Sequence, residues 1–251
     1  MYFITCIFIF LAINVAEASP LVYGNRVLTE DFVKITEALD GIQVGNCVEV
    51  NTTLPLCDTE PALPAPSHGL KLRFVALGRG TQNYTCSSSD GSASPVAVGA
   101  AATLFDASCL VSNSPTIFHE LPSAMSKVST DALGLFAVLL GQMTSRTSSG
   151  LILGEHYFTS TGDPMFDLRI GGHKDWIQAK KGSSVPAPSQ LSSHSKDGGH
   201  NVPWLKLGFA DGLGIREVYR IHTSGGQPPA SCKGQKESFE VEYAAEYWFY
   251  G

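Results

Sequence analysis

The chain has 251 residues, 43% hydrophobic and 16% charged, with a formal net charge of −6. That is enough for one large domain or two small ones, with apolar side chains to fill a core. A mildly acidic chain whose nearest basic patch is Lys180-Lys181 is a poor electrostatic match for nucleic acid.

Tyr2 to Val15 is an almost unbroken apolar run, closed by Ala16-Glu17-Ala18 and Ser19-Pro20. A short apolar stretch ending in small residues in an A-x-A pattern reads as a secretory signal peptide, here cleaved after Ala18. No basic residue precedes it. A bilayer span takes about 20 apolar residues. This run is shorter, and so is the next longest, Asp131–Gly141. The expectation is a secreted, extracellular protein with no membrane span after cleavage.

Export sets the rules for cysteines and glycans. Cys6 leaves with the leader, and Cys47, Cys57, Cys86, Cys109 and Cys232 remain. In an oxidising compartment these predict two disulfides and one leftover thiol, read as buried and inert. Spacing does not choose the pairs. A Cys86–Cys232 bridge would close a loop of about 146 residues, worth ~4–5 kcal/mol in chain entropy; a local Cys47–Cys57 bridge is the rival. Asn51-Thr-Thr53 and Asn83-Tyr-Thr85 are glycan acceptor sequons, whereas Asn113-Ser-Pro115 is spoiled by its proline.

Residues 19–62 read as a helical and extended segment. Thr29 caps a helix carrying Phe32, Val33, Ile35, Ala38 and Leu39, and Gly41 ends it. Leu54 to Ser67 is proline-dense and reads as an extended connector. From residue 63 to 251 the pattern is one β domain. Leu70–Leu77 alternates, Gly78-Arg79-Gly80 reads as a turn, and Thr81–Cys86 is rich in strand formers. Further strands are expected at Val96–Asp106, Leu151–Thr159, Met165–Ile170, Trp176–Ala179, Trp204–Ala210, Ile215–Thr223 and Phe239–Tyr250. Gly and Pro clusters separate nearly all of them. A helix is expected at Asp131–Leu140 and a long mobile loop at Gly182–Asn201. Ser238–Tyr250 alternates a wet face, Glu240 and Glu242, with a dry one, Phe239, Val241 and Tyr243; Ala244-Ala245 predicts a bulge. No internal repeat is present. The fold class predicted is mainly β, an antiparallel sandwich or barrel with one or two short peripheral helices.

Familiar chemistry motifs are missing. There is no G-x-S-x-G, H-E-x-x-H or P-loop, and the fragments Gly78-Arg-Gly80 and Gly212-Leu-Gly214 read as hairpin turns. Two segments gather candidates. Glu155, His156, Tyr157, Asp163 and Asp167 lie around a turn at Gly162-Asp163-Pro164. A hairpin there brings carboxylates to His156, which makes Glu155, His156 and Asp163 candidate catalytic groups; the alternative is a half-buried His and Tyr satisfied by backbone groups. Alternation along Ile215–Gly226 puts Arg220 and His222 on one face, suited to an anionic or sugar-hydroxyl ligand, with Tyr157 and Trp204 as further ligand-binding candidates. The alternative there is a cross-strand salt bridge. The tryptophans are read as core by default, and His173, His194 and His200 do not space out as a metal site, so no metal or cofactor is expected.

Gly78-Arg-Gly-Thr-Gln-Asn-Tyr-Thr-Cys86, Ala102-Thr-Leu-Phe-Asp-Ala107, Gly154-Glu-His-Tyr-Phe158, Val202-Pro-Trp-Leu-Lys-Leu207 and Tyr219-Arg-Ile-His-Thr-Ser-Gly-Gly-Gln-Pro-Pro229 with Cys232 together resemble a family of secreted fungal and bacterial proteins classed as a domain of unknown function. Many of its fungal members carry the label "malate dehydrogenase". The resemblance covers roughly Leu63 to Tyr250. It implies secretion and a β-rich domain, with no established reaction. It also implies the Cys86–Cys232 bridge, with Cys57–Cys109 as the second pair and Cys47 left over. The dehydrogenase label conflicts with the residues, because a dinucleotide fold needs a glycine-rich strand-to-helix turn within a βαβ rhythm. The sequence therefore points to a binding protein acting at a cell wall, a host surface or on a small or carbohydrate ligand. The rivals are an extracellular hydrolase-like enzyme using the His and carboxylate candidates, and a structural wall protein.

Overall fold

The computed structural model describes residues 52–56, 61–86, 92–126, 128, 152–188 and 200–251. The leader, the helices expected at Thr29–Gly41 and Asp131–Leu140, Cys47, Cys57 and the Asn51 sequon lie outside the described residues.

Eight strands follow in chain order: β1 (Leu72–Thr85), β2 (Val96–Asp106), β3 (Ile152–Phe158), β4 (Pro164–Asp167), β5 (Trp176–Val185), β6 (Trp204–Leu213), β7 (Glu217–Gly225) and β8 (Ser238–Tyr250). Each pairs antiparallel with the next, and β8 closes back on β1. Of the two expected architectures the molecule is the barrel, in up-and-down order. Closure removes every exposed strand edge.

Three expectations need correction. Gly78-Arg79-Gly80 is not a turn. It lies in the middle of β1, paired with β2 on one side and β8 on the other. A Cβ at Gly78 would overlap the Tyr247 ring, and one at Gly80 the Ala101 backbone, so the glycines admit close approach within a strand. Gly212 likewise lies in β6, paired with Ile177 of β5, and Gly214, at φ 80°, turns the chain toward β7. The long loop expected from Gly182 begins later, because residues 182–185 finish β5 against β6.

Inward side chains of the barrel form one core: Leu104, Phe166, Ile177, Val218, Tyr247 and Phe249 are fully buried there. A second core lies outside the wall formed by β1, β7 and β8. It contains Val75, Leu77, Phe118, Trp204, Ile221 and Trp248. Two helices cover it, α1 (Ser108–Asn113) and α2 (Pro115–Met125). Pro115 occupies the first turn of α2, where its missing N–H costs nothing, and Phe118, Leu121 and Pro122 are buried from the helix. The proline-dense connector lies on the same side. Leu54 and Leu63 are buried, and the Pro64 carbonyl accepts the Tyr219 hydroxyl at 2.8 Å.

This cover changes β8. From Ser238 to Glu242 one face is wet, as expected, but every residue from Tyr243 to Tyr250 is buried. All nine residues of β7 are buried too. Cys86, just past β1, is bonded to Cys232 in the connection between β7 and β8. Cys109 is also disulfide-bonded. Among the described residues no helix is long and apolar enough to cross a membrane.

Candidate functional site

The outer-face register of β8 runs through Glu242, Ala244, Glu246 and Trp248. At Glu242 that face is open to water; at Glu246, 0% exposed, it lies under α2. The fold thus carries a carboxylate into an apolar layer, and such a group needs donors. Glu246 Oε1 accepts from His222 Nδ1 at 2.6 Å and from His119 Nδ1 at 2.8 Å. Its Oε2 accepts the Trp248 indole N–H at 3.0 Å. Burial pushes the Glu246 carboxyl up, but the hydrogen bonds from His119 and His222 outweigh it and leave the group below its usual range.

His222 reaches this layer through a bulge. Ile221 pairs with Glu246 and Ser224 with Ala244, so β7 carries one residue more than β8 across this step. The expected irregularity near Ala244-Ala245 is there, with its extra residue on β7. His222 sits at φ 44°, the one non-glycine with positive φ among the described residues. Simple alternation puts Arg220 and His222 on one face; the bulge separates them, with His222 in the outer layer and Arg220 turned toward the lumen tyrosines.

His119 comes from α2, flanked by buried Phe118. Its ring meets that of His222 edge-on at 4.7 Å, and Trp204 meets His222 at 4.9 Å. The Trp204 indole N–H has no acceptor. The helix is held by buried Arg79, which donates to Met125 O at 3.1 Å and Val128 O at 2.8 Å and pairs with Glu242 at 2.5 Å. A guanidinium at these carbonyls is a helix C-terminal cap. The ligating atoms of His119, His222 and Glu246 all lie within 4.8 Å of one another. Two imidazoles and one carboxylate on adjacent elements form a donor set used for divalent transition metals.

A second polar group lies in the barrel lumen. The Tyr243 and Tyr247 hydroxyls are 2.7 Å apart, Gln82 approaches Tyr243, and Arg220 approaches Tyr247. His156 stacks on Phe166 with ring centroids 4.2 Å apart and donates Nδ1–H to Met165 O at 2.8 Å. Burial lowers the His156 imidazole to about 4.

The candidates from the sequence are therefore divided. Glu155 precedes His156 in β3 and lies on the opposite face, across from Asp167. Asp163, in the β3–β4 connection, accepts the Thr161 hydroxyl at 2.7 Å and the Gln178 amide at 2.9 Å. Glu155, His156 and Asp163 do not converge, and Tyr157 is half-buried on the Glu155 side. His222 and Trp204 share the outer site; His156 and Arg220 share the lumen. Sequence reasoning missed His119 and Glu246. Glu246 was legible as the one acid within the buried run Tyr243–Tyr250. His119 was legible through α2, for which Ser114-Pro115 is a start signal and Phe118, Leu121 and Pro122 an apolar face.

An all-antiparallel barrel with an outer His–Glu–His cluster defines a small-barrel class, with no βαβ unit among the described residues. The chain belongs to the family described as "Protein of unknown function (DUF3455)", whose family model matches residues 66–251. Comparison with curated proteins and with solved structures gives no match.

Proposed function

We propose that this is a secreted binding protein that holds a divalent transition-metal ion between the barrel wall and α2, with His119, His222 and Glu246 as ligands. The observation that carries the reading is the convergence of two histidines on one fully buried carboxylate. The metal would replace the two Nδ1–H···Oε1 hydrogen bonds, each imidazole carrying its proton on Nε2 instead and turning its Nδ1 lone pair to the ion. Ligand atoms around a tetrahedral zinc sit ~3.3 Å apart, so each histidine, now 2.6 or 2.8 Å from Glu246 Oε1, needs to move away from it by about half an ångström. Trp248 is placed to orient the carboxylate from the second oxygen. His119 is the most exposed ligand, at 27%, and marks the side from which an ion enters. The apolar leader and the Cys86–Cys232 bridge support export.

The test is native mass spectrometry of the secreted protein after chelation and re-equilibration with zinc, with affinity measured by competition against a chromophoric chelator. One zinc per chain is expected, with binding weakened about a hundredfold in His119→Ala, a variant chosen because its side chain is partly exposed. Equal affinity in His119→Ala, or no bound zinc at micromolar concentration, overturns the reading and leaves the cluster as a polar pin between α2 and the wall.

A further inference from the structure

The lumen contains a buried cation that has no anion among the described residues. Arg220 is 8% exposed and takes part in none of the ion pairs among the described residues. The other buried charged groups are paired: Arg79 with Glu242, Asp167 with Arg169, Asp175 with Arg73, and Glu217 with Lys206. Arg220 has only the Pro203 carbonyl, at 2.9 Å from Nη2, and the approach of Tyr247. Its Nε–H has no acceptor. The Gln82 amide nitrogen, at the other end of the Gln82–Tyr243–Tyr247–Arg220 chain, also has none. Two orphan donors and an uncompensated charge within one connected network are costly to bury. An anion bound at the guanidinium supplies both the missing charge and an acceptor for Nε–H.

We infer that the barrel lumen is a binding site for a small monocarboxylate, held by the Arg220 guanidinium with the Gln82 amide and the Tyr243 and Tyr247 hydroxyls. One unpaired positive charge matches one negative charge, and a guanidinium fork matches a carboxylate. The neighbouring walls are apolar and include the small side chains of Ala100, Ala102 and Ala179, which suits a carboxylate with an apolar remainder. A cavity of about 430 Å³ lined by Pro186, His200, Asn201, Pro203 and Gln227 lies on the Pro203 side of Arg220 and is the entrance we assign. Pro203 joins the two places, lining the cavity while its carbonyl receives Arg220. This site is separate from the histidine cluster and stands independently of the metal reading.

The experiment is calorimetric titration and thermal unfolding of the intact secreted protein with sodium benzoate, sodium acetate and inorganic phosphate at matched ionic strength. The expected result is one carboxylate per chain, benzoate tighter than acetate, and a rise in Tm with benzoate. Arg220→Met weakens binding at least about tenfold and, without ligand, unfolds no earlier than the wild type, because it removes the unpaired charge. Gln82→Leu weakens binding by a smaller factor and keeps the test decisive should Arg220→Met fail to fold. No response to either carboxylate at tens of millimolar, equal binding in the folded variants, or phosphate binding tighter than benzoate overturns the inference. Zinc stoichiometry measured on the same samples separates its failure from that of the metal reading.

Discussion

Single residues carry opposite electrostatic assignments on the two sides of the wall. Glu246 is kept charged inside an apolar layer by three N–H donors, whereas His156 is kept neutral inside the lumen. The His156 imidazole moves from 6.5 to about 4 on burial. Within that window the unfolded chain takes up a proton that the native state refuses. Stability from this residue is therefore complete above pH 6.5 and falls as the pH drops toward 4, by ~1.4 kcal/mol per pH unit and about 3 kcal/mol in all. Urea unfolding of wild type and His156→Phe between pH 8 and pH 4 checks it. Phe keeps the stack on Phe166 and cannot titrate, so the variant is expected to lose stability less steeply below pH 6.5. Parallel curves would show that other groups set the acid limb. His222 carries a different cost. A non-glycine at φ 44° is strained by about 1–3 kcal/mol, and its hydrogen bond to a buried carboxylate holds it there.

At the level of elements, β1 and α2 depend on each other. Arg79 emerges between two glycines that let β1 lie close to the Tyr247 ring and to β2, and its guanidinium bonds Met125 O, Val128 O, Gly80 O, Tyr243 O and Glu242. It is 1% exposed. Arg79→Ala leaves carbonyls at the end of α2 and in β8 without donors, and the expected loss is ~3–5 kcal/mol of stability. Because α2 carries His119, the same substitution is expected to weaken zinc binding although Arg79 touches none of the ligands. Denaturant unfolding and chelator competition on one preparation test both. A fall in stability with zinc affinity unchanged would show that α2 keeps its place without the clamp.

For the whole molecule, the closed barrel makes the Cys86–Cys232 bond a long-range staple. The two cysteines are 146 residues apart in sequence, and the loop they close contains most of the barrel. Cys86 N–H also donates to Glu237 O at 2.8 Å, and Cys232 N–H to Ala93 O at 2.7 Å, so the backbone is already in register without the sulfur bond. The double variant Cys86→Ala/Cys232→Ala is expected to keep the barrel's far-ultraviolet circular dichroism while losing ~4–5 kcal/mol, most of it through a freer unfolded chain. Loss of the β spectrum in water would instead make the bond a condition of closure.

Local pattern alone determined the β class, the positions of most strands and the turn at Gly162. Period-two alternation and Gly or Pro punctuation are properties of neighbouring residues, and they need no partner to be legible. It also marked His222, Arg220, His156 and Trp204 as candidates, without the means to sort them. That sorting was decided in three dimensions. Which face of β8 is wet at Glu246 depends on α2 lying over it. Which side His222 takes depends on one extra residue in β7, since a single-residue slip reverses every later side chain. The role of Gly78 and Gly80 depends on what the closed barrel brings against them. A turn and a close approach both require a missing Cβ, and sequence shows only that the Cβ is missing.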